Sequence, residues 1–125
     1  MESSTRRIAV VEDDESVRRA LGRVLEAMDL ETVTFASCED FLAGGDIAEF
    51  DCLLLDYRLD GMNGLELSEH LYASGHRLPW VLLTADPDAP GLDADDWASS
   101  GKLLTKPIDA DALWLAIERA ATQST

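Results

Sequence analysis

Short apolar runs recur along the chain, and each stops on a polar residue of particular chemistry. Ile8-Ala9-Val10-Val11 is followed by Glu12-Asp13-Asp14, Cys52-Leu53-Leu54-Leu55 by Asp56, Val81-Leu82-Leu83 by Thr84, and Leu103-Leu104-Thr105 by Lys106-Pro107. Such runs are too short for helices and too continuous for half-exposed strands, which suits strands covered on both faces. Ending a core strand on a carboxylate costs several kcal/mol of desolvation unless a cation or a set of hydrogen bonds compensates. The endings therefore read as parts of a site.

Helical patterns separate the runs. Val17, Ala20, Leu21, Val24, Leu25 and Met28 recur at spacings of three and four and place an apolar stripe on one side of a helix. Thr32-Val33-Thr34-Phe35 is β-rich by residue type, and Ser37 then opens a short helix that Gly44-Gly45 ends. A further helix runs through Leu65, Leu67, Leu71 and Tyr72 and stops near Gly75. Asp86-Pro87-Asp88-Ala89-Pro90-Gly91 reads as loop, with at most a short acidic helix over Asp93 to Ser99. The last helix has Asp109 as N-cap, Ile108 and Leu113 placed as a hydrophobic staple, and Leu113, Ala116, Ile117 and Ala120 as its buried stripe. Alternating strands and helices imply an α/β domain with a doubly wound parallel sheet and helices on both faces. Ligands of such sheets bind beyond the carboxyl ends of the strands, where the acids, the hydroxyl and the ammonium gather.

At 125 residues the chain is expected to be one domain. Its net charge of -15 disfavours direct contact with nucleic acid or an anionic membrane. No stretch approaches the ~20 apolar residues of a membrane span, and none resembles a signal peptide. Cys38 and Cys52 have no metal-ligand spacing, and Cys52 sits within an apolar strand, so reduced thiols and a cytoplasmic location are expected.

Taken singly, each polar ending has an ordinary explanation. Asp13 or Asp14 suits a helix N-cap, Asp56 a loop acid, Thr84 a strand-end hydroxyl, and Lys106 a solvated lysine. Together they suit phosphoryl capture by a carboxylate with a hard divalent cation. Mg²⁺ takes one or two carboxylates, waters and phosphate oxygens, which Asp13 and Asp56 begin to supply. Asp56 is the candidate nucleophile, while Lys106 and Thr84 would stabilise charge on the phosphoryl oxygens. His70 and His76 have no metal partner at ligand spacing and read as surface or helix-end residues.

Over nearly its whole length the chain resembles the receiver domain of bacterial response regulators. The resemblance is carried by Ile8 to Arg18, by Cys52 to Gly64, by Leu83-Thr84-Ala85, and by Leu104-Thr105-Lys106-Pro107. It implies a five-stranded sheet in flavodoxin-like order 2-1-3-4-5 and a cis peptide before Pro107. Asp56 would be the phosphoacceptor, Glu12 and Asp13 the acidic pair, the carbonyl of Arg58 a further Mg²⁺ ligand, and Thr84 and Lys106 the phosphoryl contacts. Residues 1–125 are then one receiver, with 1–6 as an N-terminal tail and 122–125 as the start of a linker.

The expected function is a non-enzymatic switch of a two-component system, phosphorylated by a histidine kinase or histidine phosphotransfer protein. The resemblance leaves room for a C-terminal output domain outside this chain, for transcription regulation, and for a homodimer formed on phosphorylation. Two other readings stand beside it. A Mg²⁺-dependent phosphatase of the haloacid-dehalogenase type needs an acid two residues after its nucleophile, where Arg58 stands. Asp60 stands in place of the family's usual proline, and a receiver-like interaction module that is not phosphorylated would suit two further departures: Leu103 in place of an aromatic residue, and the acidic, proline-containing segment after Thr84. In receivers, the positions of Arg58 and Asp86 flank the path of the hydrolytic water, and their opposite charges suggest a salt bridge that slows loss of the phosphoryl group.

Overall fold

The computed structural model describes residues 6–44, 47–56, 64–76, 78–85, 103–106 and 108–123. The expectations for Arg58, Asp60, Asp86, the segment Asp93 to Ser99 and the peptide before Pro107 lie outside these residues. Five strands, β1 (Arg7–Val11), β2 (Glu31–Phe35), β3 (Cys52–Asp56), β4 (Trp80–Thr84) and β5 (Leu103–Thr105), form one parallel sheet in the order β2-β1-β3-β4-β5. The register sets Val11 beside both Phe35 and Leu55, Asp56 beside Leu83, and Thr84 beside Thr105. All five strands therefore finish at one edge.

Strand periodicity divides the core into two layers. Ile8, Val10, Cys52, Leu54, Val81 and Leu83 face one side, where they meet Leu21 and Leu25 of α1 (Glu15–Ala27) and Leu113, Ala116, Ile117 and Ala120 of the C-terminal helix. Ala9, Val11, Leu53, Leu55, Leu82 and Leu103 face the other, against Cys38 and Phe41 of α2 (Cys38–Ala43) and Leu67 and Leu71 of α3 (Gly64–Ala73). Residues Ile8 to Val11 and Cys52 to Leu55 are fully buried because helices cover both faces.

The helix ends follow from local chemistry. Asp14 caps α1 by accepting hydrogen bonds from the amides of Ser16 and Val17 at 2.9 and 3.1 Å. Beyond the C-terminal end of α1, Asp29 adopts φ 62° and turns the chain into β2, a left-handed position that aspartate tolerates better than most residues. Ser37 caps α2 through Asp40, and Gly44 ends it where a Cβ would lie 2.9 Å from Phe35 Cε1. Asp109 caps the C-terminal helix, α4 (Ala110–Gln123), through the amide of Ala112 at 2.9 Å.

Several details differ from the sequence reading. Ala20 and Tyr72 lie outside the buried stripes, Tyr72 being 71% exposed, because the core needs only the inner arc of each helix. The element 47–49 is a short 3-10 turn that has no periodic signal. Arg6, assigned to a tail, pairs with Glu118 of α4 at 3.0 Å, and α4 continues to Gln123, past the position where a linker was expected to begin. Cys38 and Cys52 are free and buried, and burial pushes both thiols up to about 12. Among the described residues, no helix is long and apolar enough to cross a membrane.

Candidate functional site

The shared strand edge brings the polar endings together. Glu12 directly follows β1 and is 2% exposed, Asp56 is the last residue of β3 and is 8% exposed, and Thr84 closes β4 at 1%. Asp13 is exposed beside them. Carboxylate oxygens of Glu12, Asp13 and Asp56 all lie within 4.8 Å of one another. Asp13 and Asp14, either of which suited a helix N-cap by sequence, are thus divided: Asp14 holds the helix and Asp13 joins the acidic cluster.

Lys106 enters from the end of β5. Its amide donates to the Thr84 carbonyl at 2.7 Å, which ties the ends of β4 and β5. Its ammonium donates to Glu12 Oε1 and to Asp56 Oδ2, each at 3.2 Å. Burial alone would lower the lysine pKa, but Asp56 and Glu12 outweigh it and hold the ammonium above its ordinary value. Glu12 is pushed up to about 7, first by burial and then by the negative charge of Asp56, with the Asp14 amide and Lys106 offsetting only part of the rise. Asp14 is held below the usual carboxylate range, first by the Ser16 hydroxyl and then by the Val17 amide.

This donor set suits a hard cation. Three carboxylates cluster, two of them largely removed from water, and among the described residues the Lys106 ammonium bonds Glu12 and Asp56, a set of hard oxygen donors that a divalent ion would suit. Arg58, the remaining proposed ligand, lies outside the described residues. Arg18 was not among the sequence candidates, yet its guanidinium donates to the Glu12 carbonyl at 2.8 Å. An arginine at the edge of an amphipathic stripe carries no signal for such a contact.

With this geometry in place, the similarities to known proteins become specific. Residues 8–118 match the family model described as "Response regulator receiver domain". The transcriptional regulatory protein FixJ of Azorhizobium caulinodans is 32% identical over 114 residues, covering 91% of this chain and 54% of that protein. Nodulation protein W of Bradyrhizobium diazoefficiens is 37% identical over 123 residues, covering 94% and 54%. Among solved structures, the response regulator StyR shares 35% identity at a TM-score of 0.84, over 97% of this chain and 61% of its own. The structure described as FixJ-N shares 26% at a TM-score of 0.81, over 96% of each chain. The chain belongs to the response regulator receiver domain family. It spans about half the length of the curated relatives FixJ and nodulation protein W.

Proposed function

We propose that the domain is a phosphorylation-operated switch in which Asp56 accepts a phosphoryl group from the phosphohistidine of a histidine kinase or histidine phosphotransfer protein. An Asp56 carboxylate oxygen forms a bond to phosphorus as the phosphorus–nitrogen bond breaks. The electron pair of that bond returns to the imidazole, and an acyl phosphate remains on Asp56. Lys106, already bonded to Asp56, and the Thr84 hydroxyl at the neighbouring strand end are the groups suited to receive charge on the phosphoryl oxygens. Glu12, Asp13 and Asp56, with the carbonyl of Arg58, would hold Mg²⁺, which screens the site's negative charge from the incoming phosphate.

The observation that carries this reading is the convergence of three carboxylates within 4.8 Å on the edge where Lys106 bridges two of them. The output is a changed binding surface that acts on a partner, an output domain or a second copy of the chain. FixJ, of which this chain covers 54%, is named a transcriptional regulatory protein. Any contact with DNA would then fall to another segment, given the charge of -15 here. Leu103 is buried among the residues packed on α2 and α3, so the switch operates without rotation of an aromatic ring at that position.

Incubation with acetyl phosphate and Mg²⁺, followed by intact mass measurement, tests the proposal. A single phosphoryl adduct should form and should vanish with excess chelator. Absence of an adduct on the folded wild type, or equal yield under chelation, contradicts it.

A further inference from the structure

Glu12 and Asp13 lie on the turn between β1 and α1, so local bonds must fix where their carboxylates point. The Glu12 amide donates to the Phe35 carbonyl of β2 at 3.0 Å, extending the sheet by one residue. The Asp14 amide donates to Glu12 Oε2 at 3.2 Å. Lys106 holds Glu12 Oε1 at 3.2 Å from the other side, and a further restraint, on the backbone, comes from α1. Arg18 donates its amide to the Asp14 carbonyl at 2.9 Å and reaches back with Nη1 to the Glu12 carbonyl at 2.8 Å. One residue therefore grips the turn at both ends, on either side of Asp13. The guanidinium contact is partly buried, where its loss leaves a carbonyl without a fixed donor.

The geometry points to Arg18 as a positioning residue of the cation site: its guanidinium holds the backbone that aims Glu12 and Asp13 at the cation. This inference rests on the reading of Glu12, Asp13 and Asp56 as Mg²⁺ ligands. Groups that orient ligands commonly contribute about tenfold or more to metal affinity. The effect is separable by sign from that of charge. If Arg18 acted only as a nearby positive charge, its removal would make the site more negative and tighten cation binding. If it acts by position, removal weakens binding even though the repelling charge is gone.

Isothermal titration of the intact chain with Mg²⁺, at constant ionic strength, distinguishes these. Arg18→Met, which keeps an apolar stem and loses the donors, should bind Mg²⁺ about tenfold more weakly than wild type. Arg18→Lys, which restores a donor, should recover most of that loss. A purely structural role would lower the melting temperature in chelator and leave the affinity of the folded protein unchanged. Met-variant affinity equal to or tighter than wild type overturns the inference. If Arg18→Met does not fold, Arg18→Gln decides: weaker binding supports positioning, and equal or tighter binding overturns it. A folded wild type that takes up no Mg²⁺ overturns the metal reading, and this inference with it. That outcome is distinct from a wild type that binds while the variants bind equally well.

Discussion

The Lys106 ammonium lies 3.2 Å from Asp56 Oδ2 and the same distance from Glu12 Oε1, so one cation just past β5 bridges acids at the ends of β1 and β3. Removing one partner of a largely buried ion group leaves the others uncompensated. Lys106→Met should therefore lower the stability of the metal-free protein by about 1–2 kcal/mol, a figure discounted for partial exposure. Mg²⁺ should restore much of the loss, since it supplies positive charge to the same oxygens. Thermal melts in chelator and in Mg²⁺ check this, and a Lys106→Met protein as stable as wild type in chelator would argue against the bridge.

The raised Glu12 sets a pH dependence. Its folded value is about 7 against an ordinary 4.5, so between these values the folded state holds a proton that the unfolded state lacks. Stability of the metal-free protein should thus fall as pH rises through that window, with the loss complete above it. Cation binding requires the ionised carboxylate, so the stabilisation by Mg²⁺ should grow over the same range. Glu12→Gln should flatten the fall in chelator. A parallel pH profile for wild type and Glu12→Gln would show that Glu12 is not responsible.

Cys38 and Cys52 should resist modification. Both are fully buried with thiols pushed up to about 12, so little thiolate forms and little is accessible at neutral pH. Labelling with a disulfide reagent should proceed at the rate of unfolding and become fast in denaturant. Immediate labelling of either cysteine in the native protein would contradict this burial.

The persistence of the phosphorylated state is an expectation from the sequence alone. If Arg58 and Asp86 pair across the phosphoryl group, Arg58→Asn or Asp86→Ala should shorten its lifetime several-fold, as a partly exposed pair worth ~1 kcal/mol implies. Time courses of phosphate loss measure this, and wild-type rates in both variants would exclude the pair.

The strands were legible because full burial on two faces leaves continuous apolar runs, and Ser37 and Asp109 marked helix starts through their capping chemistry. Strand order came from resemblance, because apolar runs alone do not encode which strand pairs with which. The acidic cluster was legible because Glu12 and Asp56 follow core strands. Contacts made by side chains reaching across a turn were not, as Arg18 and the Arg6–Glu118 pair illustrate. Nor did residue type decide between Asp13 and Asp14, since both can cap; the turn geometry after Glu12 makes that choice.

The central claim, that Asp56 carries the phosphoryl group, is tested most directly by borohydride reduction of the phosphorylated protein. Reduction of an acyl phosphate converts the aspartate that bore it to homoserine, which peptide mass mapping locates. Homoserine should appear at position 56, and the Asp56→Asn protein should yield none. Homoserine at position 13, or phosphate retained on His70 or His76 instead, would contradict the account.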